Sequence, residues 1–458
     1  MKTTQTIIIL VAAALVSSCN LYKNYERPAD VKIENLYGEN IPGGMANDSI
    51  GLGCMEWRSL FTDPVLQTYI ETGLKQNTDM QVAQLRIEQS RATLSAAKLA
   101  YIPSFILGGQ GALSGIDWGK STQSYTLPVT ASWQIGSFGS LRNAKKRAKV
   151  QVLQSETYKQ AVQVNLIATI ANYYYTLVML DEQLRISEQT SVNWKRNVEV
   201  NKALMEAGES NDAAVSQSEA NYYAVCSQVI DLKQQIRALE NNFSVLLGET
   251  PYVMQRGNIN SWVGPAEVNV GIPAVMLANR PDVKAAEYAL ASAFYATNEA
   301  RAAFYPSLTL SGTIGWSNAE GTVNPGKWIY SALGQLTQPL FMNGALRAKL
   351  KISKAQQEEA KLAFRQTLLD AGAEVNTALS KIQNNEEKAT HLDLQILSLE
   401  RAVKSTQALM VNSPVNYLQV LTAQQGLLAA QISQVTNKFN CIQGTIELYQ
   451  ALGGGAIK

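Results

Sequence analysis

The 458-residue sequence predicts a mixed α+β membrane protein that is built as an internal twofold repeat. The segment from Asn77 to Phe105 returns as the segment from Arg280 to Leu308, with proline, glycine and small residues at matching positions. Two long stretches are almost free of proline and glycine and carry apolar residues at helical spacing, which predicts very long helices. Short segments rich in glycine and aromatic residues lie before these helices and predict β-strands.

The repeat predicts a shared architecture, because the residues that return are mainly alanine, proline, glycine and leucine. Each copy is predicted to hold a helix, two strands and a long helical hairpin. The predicted divisions are a signal peptide over 1–18, a lipidated N-terminal segment over 19–76, the first repeat over 77–250, a linker over 251–279, the second repeat over 280–452, and a C-terminal tail over 453–458.

The first predicted element is an export signal. An apolar run over residues 7–16 is too short to span a bilayer. It ends in Val-Ser-Ser-Cys over 16–19, which resembles a bacterial lipobox and implies lipid attachment to the sulfur of Cys19. An ordinary signal peptide with a chance cysteine is the alternative. Asn20 stands where an aspartate retains many such lipoproteins at the inner membrane, so we expect the outer membrane.

The long helices are predicted from Leu141 to about Ala207 and from Ala345 to Val411. At 1.5 Å per residue the first would reach roughly 100 Å, which is longer than a compact domain needs. Second helices are predicted from Asp212 to Leu247 and from Asn416 to Leu452. Each repeat therefore carries a helical hairpin.

Four strands of about ten residues, the length that crosses hydrocarbon when tilted, are predicted in two pairs. They lie near 103–113, 123–135, 307–316 and 327–336. Four strands cannot close into a barrel, and open edges in lipid would leave amide groups unpaired. Three copies would supply the twelve strands of an outer-membrane β-barrel, continuous with a periplasmic α-helical barrel. Five aromatic residues in or beside the strands fit interfacial belts, or single core positions: Trp118, Trp133, Trp316, Trp328 and Tyr330.

The formal net charge of +2 gives no reason to expect a nucleic-acid partner, which would require a concentrated positive field. One basic group, between Arg142 and Lys149, fits a solvated helix start near a membrane surface.

Three sequence segments resemble the TolC-type outer-membrane efflux ducts, most closely the OprM-like lipoprotein branch that works with inner-membrane RND pumps. They are Trp57–Pro64, then Ile272–Pro273 with Asn279–Glu287, and Tyr449–Gly455, which occur in this order on the duplicated frame. The resemblance implies that the segment over 19–76 and the linker over 251–279 contribute to an equatorial region. The resemblance implies a homotrimer in outer-membrane lipid that joins a periplasmic adaptor protein and an inner-membrane efflux transporter. It implies passive export of small toxic compounds, with no catalysis and no cofactor beyond the lipid on Cys19.

The resemblance also implies a gate and a docking site at the hairpin tips. The docking tips would comprise Ala207, Gly208, Asn412, Ser413 and Pro414, and the periplasmic gate candidates are Met410, Tyr417, Leu418, Gln419 and Thr422. Related ducts often carry two inward acidic residues after the second turn, where this sequence has Gln419 and Thr422. Closure by amide hydrogen bonds and packing is therefore one interpretation, and ordinary polar lining is the other.

Other functions fit the sequence less well. An enzyme lacks support, because His391 is the single histidine and no phosphate loop or nucleophile motif occurs. A coiled-coil structural lipoprotein would explain the helices but not the strands. Type I secretion and metal-ion efflux remain open alternatives within the same family. No metal site is predicted, since Cys54, Cys226 and Cys441 are widely spaced.

Overall fold

The computed structural model describes residues 22–29, 52–115, 117, 119, 121–135, 138–265, 280–318, 326–412 and 417–454, without the side chains of 409–412 and 417. Its helices follow the predicted order. They are α1 (Trp57–Leu60), α2 (Pro64–Gln76), α3 (Thr78–Leu99), α4 (Ser140–Glu206), α5 (Asp212–Leu247), α6 (Pro281–Ala302), α7 (Ala345–Asn412) and α8 (Tyr417–Ala451). The two unbroken helices expected from the absence of proline, α4 and α7, are both present.

The strands are β1 (Ser104–Leu107), β2 (Gln110–Ser114), β3 (Thr122–Ile135), β4 (Ser307–Asn318) and β5 (Lys327–Thr337). They form one antiparallel sheet in which β3 and β4 are central, β5 lies at one edge, and β1 and β2 both pair with β3 at the other. The sheet joins the strand pairs of the two sequence repeats through β3 and β4.

The first predicted strand is interrupted between β1 and β2, and the cause is Pro128 on the neighbouring strand. Leu107 pairs with Val129 and Gln110 pairs with Thr126, so the register is unchanged across the gap. The amide of Gly108 donates to the carbonyl of Pro128 at 2.9 Å. Proline has no N–H to return that bond, so the ladder breaks at this point although the chain continues in line. The prediction of four strands is confirmed with this interruption.

The chain divides into two compact units, each of which takes segments from both repeats. One unit holds the sheet with residues 85–157 and 284–366, and the other holds 158–283 and 367–458 with the preceding segment 32–84. We call them the sheet unit and the helical unit.

The main core lies in the helical unit and joins distant parts of the sequence. Phe61 is fully buried and packs edge-on against Tyr449 and at an angle against Trp262. The Tyr449 hydroxyl donates to the carbonyl of Met55 at 2.8 Å. The N-terminal segment, the linker after α5 and the end of α8 therefore meet in one core, which we call the equatorial core.

Among the described residues, no helix combines the length and the apolar character needed to span a bilayer.

Candidate functional site

The sheet has one apolar face and one polar face, as strict alternation along β3 and β4 requires. Cross-strand pairs on the apolar face are Leu127 with Trp316, Val129 with Ile314, Trp133 with Leu310, and Ile135 with Leu308. Most of these side chains are exposed within the single chain. Exposed apolar surface of this extent is typical of a face that contacts lipid or another protein.

The opposite face carries hydroxyl and amide groups. Its cross-strand pairs are Thr126 with Ser317, Thr130 with Thr313, Ser132 with Ser311, and Gln134 with Thr309. The hydroxyls of Thr130 and Thr313 lie 3.5 Å apart, and those of Thr126 and Ser317 lie 3.3 Å apart. Such a face suits the water-filled interior of a β-barrel.

Aromatic residues stand at both ends of the apolar face. Trp316 and Trp328 form a cross-strand pair at the loop end, with ring centroids 4.3 Å apart, and Tyr330 lies beside them. Phe105 and Trp133 lie at the opposite end, where the strands connect to the helices. The side chains of Trp133, Trp316, Trp328 and Tyr330 are exposed in the single chain, so these residues do not fill core positions, and an interfacial belt stays a prediction. Trp118 lies outside the described residues.

Both edges of the sheet lack a partner strand among the described residues, at β5 and at β1 with β2. Edge strands expose rows of N–H and C=O groups, which are costly in hydrocarbon unless another strand pairs with them.

The first hairpin turn follows α4. Ala207 and Gly208 are exposed, and Gly208 has a φ of 77°, a left-handed conformation that glycine adopts without strain. The side chain of Asn211 caps α5 by accepting from the amide of Ala214 at 3.0 Å. The counterpart turn carries Ser413 and Pro414, which lie outside the described residues. Asn412 ends α7, but its side chain is not among those described.

The gate candidates on the first turns of α8 share one exposed face. Leu418, Gln419 and Thr422 are all exposed, whereas Val420 and Leu421 are buried on the opposite side of the helix. The Thr422 hydroxyl donates to the Leu418 carbonyl at 2.9 Å. Met410 lies near the end of α7 and Tyr417 at the start of α8, with side chains outside the described set.

A buried tryptophan that no sequence pattern indicates packs against the start of α8. Trp194 on α4 is 1% exposed and packs with Val225 of α5 and Leu421 of α8. Three hairpin arms therefore meet at this side chain, which fixes the buried side of the first turns of α8. We call this group the Trp194 cluster.

Amide groups connect α8 to its neighbours along the same region. Asn197 on α4 donates to Gln424 at 2.7 Å, and Gln425 donates to Asn221 on α5 at 2.8 Å. A cavity of about 930 Å³ runs beside them between α4 and α8, with many glutamine and asparagine side chains in its lining. Asn201 lines it, is 1% exposed, and has no hydrogen-bond partner among the described residues.

A hydrogen-bonded group holds the equatorial core together. Asp63 caps α2 by accepting from the amide of Val65 at 2.9 Å, and its second oxygen accepts from the hydroxyl of Tyr174. That hydroxyl also accepts from the amide of Gly257 at 2.9 Å. The pKa of Tyr174 is raised mainly by burial and further by the hydrogen bond to Asp63. Burial also raises the pKa of Tyr175.

One half-buried arginine, Arg256, and one buried arginine, Arg280, add charge-assisted contacts to the helical unit. The guanidinium of Arg256 donates to both carboxylate oxygens of Asp181 and pairs with Glu240 at 2.6 Å. Arg280, at the start of the second repeat, donates to the carbonyl of Ala451 at 2.6 Å and pairs with Asp282 and Glu374. The segment containing Arg280 thus contacts the end of α8.

No metal-binding group emerges within the part of the chain that the structure describes: three or more His, Cys, Asp or Glu side chains do not converge there. His391 is exposed on α7. Cys54, Cys226 and Cys441 are half-buried and form no disulfide with one another, and burial raises the pKa of Cys441. Cys19 lies outside the described residues.

Comparison with known proteins assigns these features to a family. The sequence profile described as "Outer membrane efflux protein" matches residues 69–249 and 272–454. The chain belongs to this family. It is the outer-membrane channel component of a tripartite efflux system, and it resides in the outer membrane.

Three relatives align over nearly the whole chain. The cation efflux system protein CusC of Escherichia coli (strain K12) is 27% identical over 451 residues, covering 97% of this chain and 98% of CusC. The probable outer membrane lipoprotein SilC of Salmonella typhimurium is 26% identical over 465 residues, covering 98% of each chain. The toluene efflux pump outer membrane protein TtgC of Pseudomonas putida is 27% identical over 482 residues, covering 98% of this chain and 95% of TtgC.

A solved structure agrees with the fold. A crystal structure of CusC has a TM-score of 0.83 at 25% identity and covers 95% of this chain and 100% of that chain. The similarity to the duct family inferred from the three sequence segments is confirmed.

Proposed function

We propose that three copies of this chain form one conduit, in which twelve strands make a closed barrel and the helical hairpins surround a continuous water-filled bore. The observation that carries this proposal is the two-faced sheet with open edges. Edge pairing with two further copies would satisfy the free amides, put the apolar face in lipid and line the bore with the polar face.

Exposed apolar stripes on the helical unit support the same assembly. Tyr223 and Ile230 are exposed on α5, and Leu394 and Leu397 are exposed on α7. The two stripes lie on different helices, so a ring in which α5 of one copy faces α7 of the next would bury both. A head-to-tail contact of this kind closes into a ring when three copies complete one full turn.

The conduit would work passively with two partners. A periplasmic adaptor protein would contact the tips formed by Ala207, Gly208, Asn412, Ser413 and Pro414, and an inner-membrane transporter would supply the energy. A thioether-linked lipid on Cys19 would add an anchor, which the similarity to SilC, a probable outer membrane lipoprotein, supports. Transport without catalysis follows from this arrangement.

The gate would close by packing and amide contacts. Leu418, Gln419 and Thr422 occupy an exposed face whose reverse side is held by the Trp194 cluster. Three copies of that face, together with Met410 and Tyr417, would converge on the axis of the bore. Because Gln419 and Thr422 are uncharged, this closure would not depend on bound cations.

The cargo proposed first is small toxic organic compounds, and metal cations are the second candidate. The similarity to CusC favours cations, and an equal identity to a toluene efflux protein favours organic compounds. Deletion of the gene should sensitise cells to one class. The sensitivity of the deletion strain to copper and silver salts is compared with its sensitivity to solvents and antibiotics, with the transporter and adaptor intact. This comparison distinguishes metal cations from organic compounds as the cargo.

The decisive test of the conduit compares two neighbouring positions on β4. Ile314 is 53% exposed on the apolar face, and Thr313 lies on the polar face. Ile314→Lys should reduce trimer yield in the outer membrane, because a lysine at the bilayer midplane costs about 2–4 kcal/mol. Thr313→Lys should still assemble and should shift the ion selectivity of single channels in planar bilayers.

Wild-type protein should migrate as a heat-sensitive trimer in mild detergent. A stable monomer, or equal tolerance of lysine at both positions, would contradict the proposed assembly.

A further inference from the structure

All four connections between strands and helices lie at one end of the sheet. Ser104 pairs with Ser132, Ile135 pairs with Leu308, and Ser307 pairs with Thr337. The end of α3, the start of α4, the end of α6 and the start of α7 therefore approach this end, which we call the helix end of the sheet.

Large apolar side chains surround the helix end. Leu340 is 93% exposed and Phe341 is 83% exposed in the connection between β5 and α7. Ile102, Phe105 and Leu336 are also exposed there. This apolar rim continues the apolar face of the sheet up to the first turns of the long helices.

Basic residues begin directly beyond the rim. Five basic residues lie between the start of α4 and its first acidic residue, Glu156. Four basic residues lie between the start of α7 and its first acidic residue, Glu358. They are Arg142, Lys145, Lys146, Arg147 and Lys149 on α4, and Arg347, Lys349, Lys351 and Lys354 on α7. The whole chain carries a net charge of only +2, so positive charge is concentrated at this level.

The same pattern occurs in both repeats. Arg142, Lys146 and Lys149 stand at positions i, i+4 and i+7 of α4, and the matching positions of α7 are Arg347, Lys351 and Lys354. This spacing places each triplet on one face of its helix. Five of the six side chains are exposed, and Lys146 is half-buried beside Asn24 and the ring of Tyr295. We call the two triplets the basic band.

Two acidic groups near the band pair with basic residues outside it, and a third, Glu358, stands four positions after Lys354 on α7. Glu299 pairs with Arg147 at 3.1 Å, and Glu156 pairs with Arg91 at 2.8 Å. Like charges at i and i+4 repel each other and destabilise a helix. The band is therefore stabilised if an external anion lies against it.

An apolar and aromatic rim followed by exposed cations is the arrangement found where a protein crosses a membrane surface. We propose that the basic band binds the phosphates of anionic phospholipids in the periplasmic leaflet, while the apolar rim lies among their acyl chains. This inference rests on the proposed membrane-embedded sheet. Each exposed basic side chain near such a surface contributes to attraction that salt screens.

The test measures lipid selectivity of the full-length protein in bilayers. Spin-labelled phosphatidylglycerol and phosphatidylethanolamine are compared for motional restriction by the protein, in mixed vesicles of these two lipids. Wild-type protein should restrict phosphatidylglycerol several-fold more strongly. The preference should vanish in about 1 M salt, where the Debye length is about 3 Å.

Two variants each remove basic residues from one triplet of the band, and a third variant serves as the matched control. Arg347→Gln with Lys351→Gln and Lys354→Gln should abolish most of the preference, and Arg142→Gln with Lys149→Gln should weaken it independently. The control changes three exposed basic residues farther along α7, namely Lys388→Gln, Arg401→Gln and Lys404→Gln, and should keep the wild-type preference. Inorganic phosphate at matched ionic strength should not compete, because the site is proposed to act on membrane-bound phosphates.

The outcomes separate this inference from the conduit. Wild-type trimers that conduct but show no phosphatidylglycerol preference would overturn the inference and leave the conduit intact. The same conclusion follows if the control variant loses as much of this preference as the band variants do. Displacement by inorganic phosphate would replace the membrane with a free-anion site. Wild-type protein that forms no conducting trimer would overturn the conduit, and the inference with it.

Discussion

At the scale of single residues, the gate candidates show how far local sequence can be interpreted. Leu418, Gln419 and Thr422 were selected by resemblance, and their common exposed face follows from helical spacing once α8 begins at Tyr417. Trp194 could not be selected in this way. It lies in a helix rich in apolar residues, and its partners Val225 and Leu421 come from other helices that no local pattern connects to it.

The uncharged gate can be tested by adding the missing charge. Gln419→Asp would place three carboxylates around the axis of a trimeric conduit, and carboxylate oxygens are ligands for divalent cations. We expect millimolar divalent cations to reduce single-channel conductance in this variant, while wild-type protein is little affected.

Gln419→Asn is the matched control, because it keeps an uncharged amide at the same position. If divalent cations leave the conductance of the aspartate variant unchanged, as in wild-type protein, residue 419 does not face the constriction.

At the scale of elements, helix bounds were predictable and the strand break was not. Proline and glycine are nearly absent from α4 and α7, and Asn211 with Gly208 marks the turn between α4 and α5. The gap between β1 and β2 depends on Pro128 in another strand. Its missing N–H affects Gly108 only because the register places the two residues opposite each other, and register is a tertiary property.

The Trp194 cluster should set how firmly the start of α8 is held. Trp194→Ala would remove the largest side chain of the cluster, and such truncations cost about 3–5 kcal/mol. Looser packing would let the first turns of α8 move away from α4 and α5. We expect larger or more frequent openings in planar bilayers and faster proteolysis near residue 417.

Val192→Ala is the comparison on the same helix, because Val192 is 67% exposed. It should leave conductance and proteolysis unchanged. If both alanine variants behave alike, the cluster does not hold the gate.

At the scale of the whole molecule, the repeat in the sequence does not correspond to a unit in space. Strand pairs from both repeats share one sheet, and hairpins from both repeats share one core. The equatorial core joins Met55 to Tyr449, which are 394 positions apart. The segments that meet there were recognised by resemblance, but their contacts could not be derived from spacing, because local periodicity carries no information on partners so distant.

Buried tyrosines in the equatorial core give the helical unit a defined response to alkali. The pKa of Tyr174 and that of Tyr175 are raised in the folded state, mainly by burial, whereas unfolded tyrosine ionises near pH 10. Above about pH 10 the unfolded state therefore binds fewer protons than the folded state, and stability falls as pH rises. Below that pH this contribution is fully present.

Absorbance of tyrosinate, followed together with helical circular dichroism, checks this expectation. Tyr174 and Tyr175 should ionise only as helical signal is lost. Tyr175→Phe should reduce the alkaline dependence, whereas Tyr223→Phe, at an exposed position, should not. Ionisation of every tyrosine near pH 10 with helices intact would contradict it.

The exposed apolar face of the sheet also has a consequence for biogenesis. Leu107, Ile314 and Leu336 lie in water in any single subunit that has left the inner membrane and not yet met its neighbours. Solvent-exposed leucines beside unpaired strand edges promote aggregation. We therefore expect newly exported subunits to require a holding chaperone until they insert into the outer membrane. When that chaperone is scarce, the amount of this protein should fall while the inner-membrane transporter is still intact.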